Sequence, residues 1–203
     1  MPGLLRRITA AGVERVVLVS SQAAVASDTA NAVSAYMVGS EAAVRESGVD
    51  WTFLRPAAFA SNALRWLPQL RAGDVVSDAF GDVPIASVDP ADIAAVAVAA
   101  LLEPGHEGRA YSLSGPEALL PGDRVRVLGR VLGRDLRFHA LGDDEARERM
   151  SATTPAEYVR AFFGFYRDRT IDETTVHPTV EQVTGRPART FEQWATAHAG
   201  LFR

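Results

Sequence analysis

The chain has no cysteine among its 203 residues. That excludes disulfides, a thiolate nucleophile and a zinc site with cysteine ligands. No apolar run approaches the roughly 18 residues that a membrane helix requires. The opening stretch, "MPGLLRRITAAG", is too poor in apolar residues for a signal peptide. A cytoplasmic protein without membrane contact is therefore expected. Positive charge is also short. The formal net charge is −4, and the arginines are scattered along the chain. Neutralising a phosphate backbone needs clustered cations, so nucleic acid is excluded as the main partner. His106, His139, His177 and His198 are far apart and show no metal-ligand spacing, so no metal site is expected. There is no G-x-S-x-G, which argues against an α/β-hydrolase triad.

What remains is an ordinary globular composition, 47% hydrophobic and 23% charged. The length suits one core with a small lobe. Leu4, Leu5, Ile8 and Ala11 share a helical face that Gly12 ends. Val16 to Val19 are apolar without alternation, which predicts a strand buried on both faces of a parallel sheet. A helix is expected from about Thr29 to Ser47, with Asp28 as its cap and Gly48 at its end. On it, Glu41 and Arg45 read as an i,i+4 pair on the outer face. "VDWTFLRP" is a second strand and "DVVSDAFGDVPIASV" carries one or two short ones. Asp89-Pro90 opens a helix, "IAAVAVAALLE", apolar nearly all round and so expected to be deeply packed. "RAYSLSG" is a strand, "RVRVLGRVLG" a helix and "DLRFHAL" a strand. From about Asp143 the pattern is helical, with Asp143, Asp144 and Glu145 as an acidic first turn. Strands alternating with helices predict an α/β fold with a parallel sheet.

Four stretches taken in order carry a family resemblance. They are "GVERVVLVSSQAA", "EAAVRESGVDWTFLRPAAFASNAL" and "SVDPADIAAVAVAALLEPGHEGRAYSLSGPEAL", followed by "VTGRPARTFEQWATAHA". Together they resemble the NmrA-like branch of the atypical short-chain dehydrogenases/reductases, over almost the whole chain. The resemblance implies a Rossmann fold binding NAD(P)(H) and a small-molecule substrate, a quinone, an azo compound or another small electrophile. Some such proteins bind the dinucleotide as sensors and catalyse nothing. Carried onto this chain, the residues at the nicotinamide end are Ser20, Ser21 and Gln22, then Pro56, Ala57, Ala58 and Phe59, with Asn62 opening the next segment. Physically, ligands bind outside the carboxyl ends of parallel strands. Pro56 stops the strand there, and Ala57 and Ala58 are small enough for a flat ring to approach. Phe59 is either an apolar wall of that site or core filling. Trp66, Phe162, Phe163, Phe165 and Tyr166 either line a substrate cleft or pack helices.

Two family features are not found. None of the 16 glycines forms G-x-G-x-x-G or G-x-x-G-x-x-G, the turn on which such folds bind pyrophosphate. By resemblance the chain starts in the helix before the fourth strand, about 70 residues into the fold. The residue that chooses between NAD and NADP goes with that part. The Y-x-x-x-K positions are occupied by Val33 and Met37, with Tyr36 one place off, so no catalytic residue is assigned. The expected organisation is a partial Rossmann-like core, residues 1–118, joined to a mostly helical substrate part, residues 119–203. Strand Val16–Val19 would then have a bare edge, met by a longer natural chain, by a homodimer through that edge, or by poor folding. The functional expectation is an NmrA-like oxidoreductase with impaired cofactor binding. The alternative is a non-catalytic sensor or dimerising module, or an inactive fragment.

Overall fold

Parallel pairing organises the first half of the chain in the computed structural model, which describes residues 2–26 and 29–202. Helix α1 (Pro2–Ala10) leads through Gly12, in the left-handed region, into strand β1 (Arg15–Val19). Helix α2 (Ala32–Glu46) returns the chain to β2 (Asp50–Pro56). After a 3-10 segment (Ala60–Trp66), helix α3 (Leu67–Ala72) and strand β3 (Val75–Asp78) come helix α4 (Pro90–Leu102) and strand β4 (Arg109–Leu113). Strands β1, β2 and β4 form one parallel sheet with β2 in the centre. Successive side chains on a strand point to opposite faces. Phe53 accordingly packs with Leu5 and Val44 under α1 and α2, whereas Leu54 packs with Ile93 and Val96 of α4.

The second half builds onto a smaller parallel pair. Helix α5 (Pro121–Leu132) ends at Gly133, also left-handed, and leads to β5 (Arg137–Ala140), which pairs with β3. Helices α6 (Asp143–Ser151), α7 (Ala156–Tyr166), α8 (Thr179–Thr184) and α9 (Phe191–Ala197) complete the order. Trp66, Val76, Leu128, Phe191 and Trp194 form the core on this side. The α/β class with parallel sheets and flanking helices agrees with the sequence pattern.

Three local expectations change, and one contact is added. Asp28 lies outside the described residues; α2 begins at Ala32, and Asn31 Oδ1 accepts from the amides of Val33 and Ser34 at 3.0 and 3.2 Å. Strand β1 is only half-buried, with Val19 48% exposed, because it pairs with β2 alone among the described residues. Helix α4 buries Ile93, Val96, Ala99 and Ala100 but exposes Val98 and Leu102, since it covers one sheet face and turns its back to solvent. Asp89 caps α4 as expected, but Asp92 reaches across to the Arg189 amide and guanidinium at 2.7 and 2.9 Å, tying α4 to the C-terminal segment.

Candidate functional site

The carboxyl ends of β1, β2 and β4 lie side by side. Val19 is level with Leu54 and Pro56 with Leu113. The Ser20 amide donates to Leu54 O at 2.7 Å and the Ala57 amide to Leu113 O at 2.8 Å. The two turns singled out in the sequence are thus neighbours, but their side chains part company. Ser20 is buried and its hydroxyl donates to Glu41 Oε1 at 2.7 Å. Ser21 caps the short 3-10 turn Gln22–Ala24, accepting from the Ala23 amide. Gln22 lines a recess of about 240 Å³ with Ser112, Thr170 and His177. Pro56 and Ala57 are buried at the end of β2. Ala58 and Asn62 line a larger cleft of about 730 Å³. Phe59 packs with Leu54, Val88 and Ile93 in the core beneath the sheet.

Glu41 is a correction to the surface pair expected from spacing, because it is only 2% exposed. Arg55 grips both its oxygens at 2.9 and 2.7 Å, and Arg45 adds a bond at 3.0 Å. Burial pushes this carboxyl's pKa up, but hydrogen bonds from Arg55 and Ser20 and the two guanidinium charges outweigh it, leaving the value lowered. The signal for this clamp was Arg55 itself. A cation in an otherwise apolar strand needs a counter-charge.

The larger cleft lies between the 3-10 segment Ala60–Trp66, the end of β3, the first turn of α5, and helices α6 and α7. A strap, residues 170–177, crosses the strand tips beside it. The Ala86 amide donates to Glu173 O at 2.7 Å and the His177 amide to Ser114 Oγ at 2.8 Å. Inside the strap the Tyr166 hydroxyl donates to Glu173 Oε2 at 2.9 Å. Both groups are driven toward their neutral forms, chiefly by burial: the pKa of Tyr166 is well raised, and that of Glu173 is raised against the opposing hydrogen bond from Tyr166. Phe80 has φ 56°, uncommon for a bulky residue. That backbone sets its ring 5.0 Å from Phe163 and 4.9 Å from Tyr166. Of the aromatics in question, Trp66, Phe162 and Tyr166 line the cleft, while Phe163 and Phe165 are buried.

Arg124 and Glu173 were missed in the sequence. Arg124 precedes Leu128 by four residues and so falls on the buried face of α5 by helical period, a legible signal. Glu173 sits in a stretch without periodicity and gave none. The family's catalytic lysine has no counterpart anywhere, because the sequence contains no lysine. Tyr36 is 63% exposed on α2.

Glu173 makes a pH prediction. Its folded-state pKa lies above the usual 4.5, so the folded chain holds this proton more tightly than the unfolded chain. Stability from this group is fully present below about pH 4.5 and is lost as pH rises through the folded value. Glu173→Gln mimics the neutral acid. Urea titrations are expected to show the variant gaining on the natural chain from pH 4.5 toward neutrality; a difference flat across that range would refute the assignment.

With the geometry in hand, three comparisons bear on it. Residues 2–104 match a protein family described as NAD(P)H-binding. The chain is 48% identical to a (4-alkanoyl-5-oxo-2,5-dihydrofuran-3-yl)methyl phosphate reductase of Streptomyces griseus, over 95% of this chain and 69% of that protein. It is 34% identical to an NAD(P)H azoreductase of Xenophilus azovorans, over 98% of this chain and 70% of that one. In fold it superposes on an NADPH-dependent quinone oxidoreductase of Escherichia coli complexed with NADPH, with a TM-score of 0.78 and 24% identity, covering 100% of this chain and 70% of that one.

Proposed function

Because the chain belongs to the NAD(P)H-binding family, in the NmrA-like branch of atypical short-chain reductases, we propose that its larger cleft is where a small electrophile is reduced at the expense of NAD(P)H. The observation that carries this reading is the position of the cleft. It opens at the carboxyl ends of parallel strands, lined by Ala58 just past β2, Ala79 just past β3 and Leu141 just past β5, where α/β sheets receive ligands. The residues there fit a nicotinamide ring. Ala58 is small and half-buried, and Ser61 and Asn62 carry polar groups with no hydrogen-bond partner among the described residues.

The bound cofactor supplies a hydride. The chain supplies the rest. Ala58 lets a flat ring reach the main chain, and Asn62 offers donors and an acceptor to its amide. Trp66 and Phe162 keep water from the reacting faces. Tyr166 lines the cleft, and its hydroxyl, on turning from Glu173 Oε2 to the substrate, gives the proton that balances the hydride and is reprotonated from solvent afterwards. Residues 1–118 serve the cofactor side and residues 119–203 the substrate side. Cofactor affinity is weak in this stretch of sequence, which has no glycine-rich phosphate turn. The relatives' printed substrates, a dihydrofuranone phosphate and azo compounds, support a conjugated, electron-poor molecule as the substrate class. The edge of β1 that has no partner strand among the described residues, with Val19 exposed, supports a homodimer through that edge, which sedimentation would register as twice the monomer mass.

The test is oxidation of NADH or NADPH, followed optically, with a benzoquinone, an azo dye and a phosphorylated dihydrofuranone as acceptors. At least one acceptor is expected to be reduced, and Tyr166→Phe is expected to lower kcat by about a hundredfold with KM little changed. No oxidation with any acceptor, at cofactor concentrations shown to saturate binding, would refute the reductase reading and favour a binding module.

A further inference from the structure

The cleft contains a cation with no hydrogen-bond or ion-pair partner for its side chain among the described residues. Arg124, in the first turn of α5, is only 2% exposed. Its side chain makes no hydrogen bond among the described residues, and its Nε is buried without a partner. The other largely buried ionisable side chains described above are tied to partners: Glu41 to Arg55, Asp89 to the Ala91 amide, Asp92 to Arg189 and Glu173 to Tyr166. Arg124 instead borders the cleft, with its guanidinium carbon 5.8 Å from the Trp66 ring centre. A contact over a ring face leaves the N–H edge of the fork unused. Burial and the nearby Arg65 charge lower its pKa to about 10, so it is still a cation at neutral pH. Leaving a buried guanidinium unpaired is costly, and a bound anion is one thing that accounts for such an orphaned group at a cleft wall.

The surroundings define that ligand's charge. Three arginines (Arg65, Arg124 and Arg149) and one carboxylate (Asp78) line the cleft, in a chain whose net charge is −4. Asp78 is already engaged by Arg65 and by the Trp66 indole N–H at 2.7 Å. The positive end of the α5 dipole, at Pro121, faces the same space. Glu173 on the strap is the other carboxylate nearby, and it accepts a hydrogen bond from the Tyr166 hydroxyl.

We propose that Arg124 is the centre of an anion site for a phosphate monoester carried by the substrate, with Arg65 and the Ser61 hydroxyl offering further donors. A doubly charged group with several acceptor oxygens suits this donor set, whereas one guanidinium fork would satisfy a carboxylate. The inference rests on the cleft being the substrate site, but anion binding can be measured without turnover.

Calorimetric titration with phenyl phosphate, benzoate and inorganic phosphate, without cofactor, provides the test. Phenyl phosphate is expected to bind more tightly than benzoate, and Arg124→Gln to weaken it by about ten- to a hundredfold. Arg124→Lys should retain part of the affinity, and Arg130→Gln, an exposed position, all of it. Without ligand, Arg124→Gln should melt at the same temperature as the natural chain or about 2–4 °C higher, because an unpaired buried charge is gone. Saturating NADPH should leave phenyl phosphate binding intact. The proposal is overturned by unchanged phosphate affinity in Arg124→Gln, by preference for benzoate, or by displacement with NADPH, which would assign the anion site to the cofactor. If NADPH is never oxidised yet phenyl phosphate binds through Arg124, the reductase reading fails and the anion site stands.

Discussion

Glu41→Ala is expected to destabilise the chain by about 3–5 kcal/mol, the cost of removing one partner of a buried ion pair. Without this carboxylate, Arg55 in β2 loses both its bonds and the Ser20 hydroxyl loses its acceptor. The damage would be greatest where three elements converge, at the tips of β1 and β2 and on the inner face of α2. Replacing both Glu41 and Arg55 by leucine should recover much of the loss, since an apolar pair of similar volume has no unpaired charge to bury. The pH dependence has the opposite sign to that of Glu173. Glu41 has its pKa lowered below 4.5 in the folded chain, so its contribution is present above that value and lost as pH falls through the folded value. Urea midpoints of the natural chain and Glu41→Ala should therefore converge under acid. A gap that persists at low pH would indicate a packing role instead.

Trp66→Ala is expected to be of similar size, about 3–5 kcal/mol, from deleting a large buried side chain. Trp66 is 1% exposed and packs with Leu70, Val76, Leu128, Phe191 and Trp194. Its indole N–H also fixes Asp78, and its ring carries Arg124. The substitution should thus lower thermal stability and also release the cleft wall. Trp66→Phe separates the two effects: it keeps most of the apolar volume but frees Asp78 to compete for Arg124, so anion binding should fall more than stability does. Equal stability of Trp66→Ala and the natural chain would show that the wall is not part of the core.

The fold was legible where one local signal dominated. The unbroken apolar run Val16–Val19, the Asp89-Pro90 helix start and the glycines after α1 and α5 each specify a conformation that the structure adopts. Legibility failed where tertiary partners decide. Glu41 satisfies the spacing of a surface pair with Arg45, yet β2 brings Arg55 against it from 14 residues away. The α4 sequence is apolar all round, but only one sheet face lies beneath it. In the site, the turn Pro56–Asn62 was marked by an abrupt change from large to small residues, and Ala58 and Asn62 do border the cleft. The strap residue Glu173 reaches the same place from the far end of the chain, and no period or motif announces it. Arg124 lies between: the helical period puts it inside, but only the structure leaves it without a partner.

The central claim is that the cleft at the strand tips receives the nicotinamide ring against Ala58. Titration with NADPH, followed by its own fluorescence, tests this most directly when done on the natural chain and on Ala58→Trp, whose unfolding transition should be unchanged. The account predicts a saturable change in the natural chain and at least a tenfold weaker affinity in the variant, about 1.4 kcal/mol. No fluorescence change up to millimolar NADPH in the natural chain, or equal affinity in Ala58→Trp, would contradict it.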